Sequence, residues 1–133
     1  MAGTFSDFVE NAVVDQVCGV AAYTFVTQAY LTLFTVNPNF ETGAGGTEAA
    51  GGGFVRKAIN FDASSGGGTQ SDGAIVWTVG TDIAAGTYTG WAVYDAAAAG
   101  NMLFGDALTP SKVLTSSGDT LTFADTAIQV SLT

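Results

Sequence analysis

Glycine punctuates this chain, and its placement limits the fold more than any other feature. GAGG at 43–46, GGG at 51–53 and GGG at 66–68 divide short apolar runs, and further single glycines follow almost to the end. No long helix survives such interruption. Between the breaks the apolar residues alternate with a period of two, the signature of strands bounded by turns. Residues 29–36 (AYLTLFTV) are β-branched, aromatic and apolar on both faces, which predicts a central strand ended by Pro38. Residues 42–53 cannot pack a core and form a flexible or tightly turning loop, and 63–73 form a second Gly/Ser loop. Further strands are expected at 54–61, 74–79, 87–94 and 101–105, with shorter ones at 111–115, 119–123 and 126–132.

One segment departs from this pattern. Phe5, Phe8, Val9, Ala12, Val13 and Val17 recur at helical spacing, which predicts a helix over about 5–18 with one apolar stripe. Thr4 is the expected cap, Asp7 and Glu10 lie near the positive end of the helix dipole, and Gly19 is a natural stop. Cys18 is expected to be a buried, inert thiol beside the stripe. The last segment, TAIQVSL, places Ala127 inward, or Val130 after a shift of register. In strand 87–94, Trp91 and Val93 share one face while Ala92 and Tyr94 share the other, and the tryptophans read as core. The expected fold is mainly β: a jelly-roll-like antiparallel β sandwich of about eight strands with one N-terminal α-helix, a single domain over 1–133.

Composition narrows the function. Twelve acids against three bases give a net charge of −9, which disfavours nucleic acid and anionic membranes. The chain has no His, so His-based triads, general bases and metal ligands are excluded, and a single Cys excludes an intramolecular disulfide. The N-terminus has no basic region of the signal-peptide kind, and no apolar run approaches the length of a membrane span, so a soluble, non-secreted protein is expected. No cofactor is expected, since the glycine clusters neither open a helix nor precede a P-loop Lys. The aspartates sit beside Gly, Ala or Thr where turn chemistry accounts for them, and no pair is marked out for glycoside hydrolysis. Only 11 % of residues are charged, a composition suited to a surface partly covered by other subunits. Arg56 and Lys57 concentrate the positive charge on one strand. Inter-subunit salt bridges and strand-edge charges that block unwanted pairing explain them equally well.

The order of segments resembles a family of small tailed-phage virion proteins, tail-fibre-like or minor tail proteins, some of which decorate capsids. The matching residues are Leu31, Leu33, Phe34 and Thr35, then Gly46, Thr47, Glu48, Gly51 to Phe54, Arg56 and Ala58. Tyr94, Asp95, Ala96, Gly100, Asn101 and Leu103 follow, and Gly118 to Leu121, Phe123 and Ala124 close the match. Val26 and Thr27 depart from the family's usual Pro-Ala region. The resemblance implies symmetric multimers, commonly homotrimers, on the outside of a virion. It implies a non-enzymatic decoration (cement) protein that binds the major capsid protein and stabilises the shell, with a tail or tail-fibre adhesion component as the alternative. Phe5, Phe8, Arg56 and Lys57 are the expected interface residues.

Overall fold

A computed structural model describes residues 1–24 and 26–132. A short strand β1 (Thr4–Phe5) leads into the helix α1 (Asp7–Cys18). The strands β2 (Ala29–Val36), β3 (Thr47–Glu48), β4 (Lys57–Phe61), β5 (Gly68–Asp72), β6 (Ile75–Thr78) and β7 (Gly86–Tyr94) follow. The chain finishes with β8 (Met102–Leu114), β9 (Thr120–Phe123) and β10 (Gln129–Ser131). The main sheet runs β1-β8-β7-β2-β4-β5-β10 with β3 added beside β2, and β6 and β9 pair separately. Every strand pair is antiparallel.

The expected sandwich therefore takes the form of a near-barrel. Its two ends meet where the Gly3 amide donates to the Gln129 carbonyl (2.9 Å) and the Gln129 amide donates to the Met1 carbonyl (2.8 Å). That closure leaves fewer bare strand edges to pair with other chains. Leu31, Leu33, Trp77, Ile83, Trp91, Val93 and Ile128 are sealed in the middle. β2 lies in the centre of the sheet, as its apolar faces require. Leu31 and Leu33 point into the main core, while Phe34 joins Ala92 and Met102 in a smaller outer cluster under Phe40 and Tyr94. Trp91 and Val93 likewise serve the main core and Ala92 and Tyr94 the outer one.

Several expectations are corrected. The helix starts at Asp7, because Thr4 and Phe5 pair with Gly105 and Phe104 instead. Ser6 is the N-cap residue, yet its buried hydroxyl donates to the Met102 carbonyl (2.6 Å) rather than capping the helix. The Asp7 amide is satisfied by the Glu41 carbonyl (2.7 Å). Gly19 does end the helix, in the left-handed region at φ 70°. Strand 54–61 begins only at Lys57, which leaves Arg56 in the preceding loop. The second Gly/Ser loop contains β5, whose polar sequence GTQSD hid it; Ser71 is buried there and its Oγ accepts from the Ile128 amide (3.2 Å). Strands 101–105 and 111–115 are one strand, β8, in which residues 108–111 bulge opposite Thr89 and give Pro110 a place without a ladder bond. In the last segment Ile128 and Val130 are the buried pair, and Ala127 is only partly covered. Cys18 is exposed, not buried.

The two tryptophans differ in how their indole N–H is treated. Trp77 Nε1 donates to the Val55 carbonyl (3.3 Å), whereas Trp91 Nε1 has no hydrogen-bond partner among the described residues. Replacing Trp91 with Phe removes an uncompensated buried donor, while the same change at Trp77 removes a bond and strands a carbonyl. Trp77→Phe is therefore expected to cost about 1 kcal/mol more than Trp91→Phe in urea denaturation. Equal costs would show that the Trp91 N–H is satisfied in solution.

Candidate functional site

Two regions concentrate the residues singled out by sequence. The first surrounds Arg56. Its Nε donates to Glu48 Oε1 (2.6 Å) and its Nη2 to Glu48 Oε2 (3.0 Å), a forked pair. Nη1 donates to the carbonyls of Ala96 (2.9 Å) and Ala99 (2.7 Å), and the guanidinium lies 3.8 Å from the centre of the Tyr94 ring. The Thr32 hydroxyl donates to Glu48 Oε1 as well. The Arg56 side chain is only 6 % exposed and that of Glu48 34 %. Burial alone would raise the Glu48 carboxyl, but the Arg56 and Thr32 hydrogen bonds and the Arg56 charge together hold it below its ordinary value. Burial pushes the Tyr94 phenol up.

Lys57, the next residue, points elsewhere. Its ammonium donates to the Val76 carbonyl (2.5 Å) and to Asp82 Oδ2 (3.2 Å), beside the Trp77 ring. The Lys57 and Thr78 hydrogen bonds lower Asp82. Both cations thus have partners inside the chain, and neither stands as a strand-edge charge facing solvent alone. Arg56 ties β3 and the end of β7 to the 95–100 turn; Lys57 ties β4 to β6 and to the turn after it. In both clusters the charged groups are engaged with one another or with backbone carbonyls, which binds the surrounding elements together. Sequence could not pair Glu48 with Arg56, because the spacing of eight residues spans a loop whose path the tertiary fold sets.

Asp95 and Asp119 behave as the turn residues expected, whereas Asp106 lies within β8 and Asp82 pairs with Lys57. Asp119 Oδ2 accepts from the Thr115 and Ser116 amides (both 3.0 Å), which lower its carboxyl, and Asp95 accepts from the Asn101 amide (2.7 Å) and side chain (2.9 Å). A polar trough of about 510 Å³ crosses β5 and β10 beside Asp62, Gln70 and Gln129.

The second region is the helix. Phe5 packs edge-on against Phe104 (5.8 Å between centroids), and Phe8 packs edge-on against Tyr23 (5.7 Å) while staying exposed at its rim. Val9, Ala12 and Val13 line an apolar groove of about 200 Å³ with Phe5, Leu103 and Phe104. No residue of α1 is fully buried. The stripe continues past the groove into solvent at Val17, which is 80 % exposed, and Val14 beside it and Val20 past the helix end are bare as well. The apolar stripe read from sequence is therefore only half covered.

A family model described as podophage GP4 fiber I protein gp80 matches residues 4–131. No curated protein matches the chain.

Proposed function

The chain belongs to the podophage GP4 fiber I protein gp80 family, and from that premise we propose that it is a non-enzymatic, fibre-associated component of the phage particle. It is a structural protein of tailed-phage virions. The observation that carries the fibre reading is the family match from Thr4 to Ser131, which takes in the helix, the near-barrel and the Arg56 cluster together. The physical design supports it. A closed, internally bonded body resists deformation, its net charge of −9 gives it no means of gripping packaged nucleic acid, and its helix leaves apolar surface for neighbours. Homotrimeric assembly and contact with other virion proteins through Phe8 and its surroundings belong to the same proposal.

Decoration of the outer capsid, bound to the major capsid protein, is the other position open to a protein of this build. The two readings differ in stoichiometry. Quantitative mass spectrometry of purified particles is expected to give a few copies per virion relative to the major capsid protein. A ratio near one, or another simple lattice fraction, would move the protein to the shell. Absence from the particle would overturn both positions.

A further inference from the structure

We propose that the bare half of the α1 stripe, together with the groove at its base, is the docking face for a basic amphipathic segment of a different virion protein. The inference rests on the fibre reading above for the existence of such a neighbour, and on the surface itself for its chemistry. The shape comes first. Val9 and Val13 lie over the groove, Val17 carries the stripe to the last turn of the helix, and Val20 adds a bare valine just past the Gly19 stop. Apolar side chains at helical spacing beside an open apolar groove fit an inserted segment better than a flat surface.

Charge then selects the occupant. The helix carries Asp7, Glu10 and Asp15 and no base. A second copy of this chain could neutralise these acids only with Arg56, Lys57, Lys112 or the Met1 ammonium, which the Ala127 carbonyl holds. Arg56 is buried in its pair with Glu48, and Lys57 is engaged by Val76 and Asp82. Lys112 alone is left, so packing two such helices would bring acids against acids with almost nothing to offset them. A foreign segment that fills the groove with apolar side chains and flanks it with Lys or Arg suits both the groove and the acids beside it. An anionic membrane surface fails the charge requirement.

The test uses the full chain and a fluorescent Leu/Lys amphipathic peptide, with a Leu/Glu peptide of the same pattern as control. Anisotropy should show saturable binding of the basic peptide alone, weakening with salt. NMR shifts should be confined to α1, Tyr23 and the groove. Two variants separate docking from simple attraction. Val17→Asp with Val20→Asp adds negative charge, so non-specific attraction would strengthen, whereas docking should weaken about tenfold. Val17→Ser with Val20→Ser should weaken binding at unchanged net charge, and circular dichroism should show the fold intact in both, since these positions are solvated.

The proposal is overturned if the Leu/Glu peptide binds equally, if the aspartate variant binds the basic peptide more tightly, or if no peptide binds. It is also overturned if sedimentation shows wild-type oligomers that the serine variant loses, which would make a second copy the occupant. Recruitment to phosphatidylcholine vesicles through the same valines would overturn it in favour of lipid. Copy number in the virion is independent of all these results, so failure of the docking face and failure of the fibre reading are distinguishable.

Discussion

Gly52→Ala is expected to lower stability by about 3 kcal/mol, roughly 10 °C in melting temperature for a chain of this size. Two causes act at the same atom. Gly52 sits at φ +65°, where a Cβ is already unfavourable, and that Cβ would lie 2.3 Å from both the Ala84 nitrogen and the Ile83 carbonyl carbon. Backbone cannot swing aside as a side chain tip would, so the 81–84 turn must be pushed off the loop. Ile83, fully buried, would be drawn out of the core with it. Gly51→Ala is the matched control. Its φ of +82° carries the same backbone penalty, yet its Cβ would meet only the Ala84 methyl at 3.8 Å. It should cost about 1 kcal/mol. Thermal and urea denaturation of the two variants check this, and equal losses would mean that backbone conformation alone, without the close approach, governs this loop.

Arg56→Ala should be nearly as damaging, at about 2–4 kcal/mol. It leaves the half-buried Glu48 carboxylate with Thr32 as its remaining side-chain partner, takes the donor from the Ala96 and Ala99 carbonyls, and uncovers the Tyr94 ring. Arg56→Lys keeps the charge but not the fork, and should recover only part of the loss. The pH profile gives the sharper readout. Glu48 is held below its ordinary value in the folded protein, so its contribution is complete above the ordinary carboxylate range and is lost as pH falls through the folded value. Asp82 and Asp119 are shifted in the same direction. Acid also relieves self-repulsion in a chain of net charge −9, and does so in wild type and variant alike. The gap between the two proteins is therefore the quantity to follow. Without Arg56, only the Thr32 hydrogen bond opposes the burial that favours the neutral form of Glu48, so the gap should be widest near neutrality and should narrow below the ordinary carboxylate range. A gap independent of pH would show that Arg56 acts through packing and its carbonyl contacts, not through its charge on Glu48.

Local chemistry determined a good part of this protein from sequence. The two-residue period and glycine breaks fixed a mainly β chain, the two-faced apolar run at 29–36 fixed its central strand, and Gly19 fixed the end of its helix. Each is a short-range effect, because side-chain alternation and left-handed glycine turns depend on neighbours within a few residues. Tertiary structure alone decided the rest. Thr4 and Phe5 became strand because β8 offered them a ladder, and GTQSD became strand because β4 and β10 lay on either side of it. Arg56 and Lys57 found Glu48 and Asp82 only once loops of unreadable path brought those carboxylates near. The helix shows the division most plainly. Its stripe was legible at helical spacing, but a stripe is buried only as far as the body beneath it extends. The body stops short of Val17 and Val20, and what the sequence marked as apolar the fold left open to water.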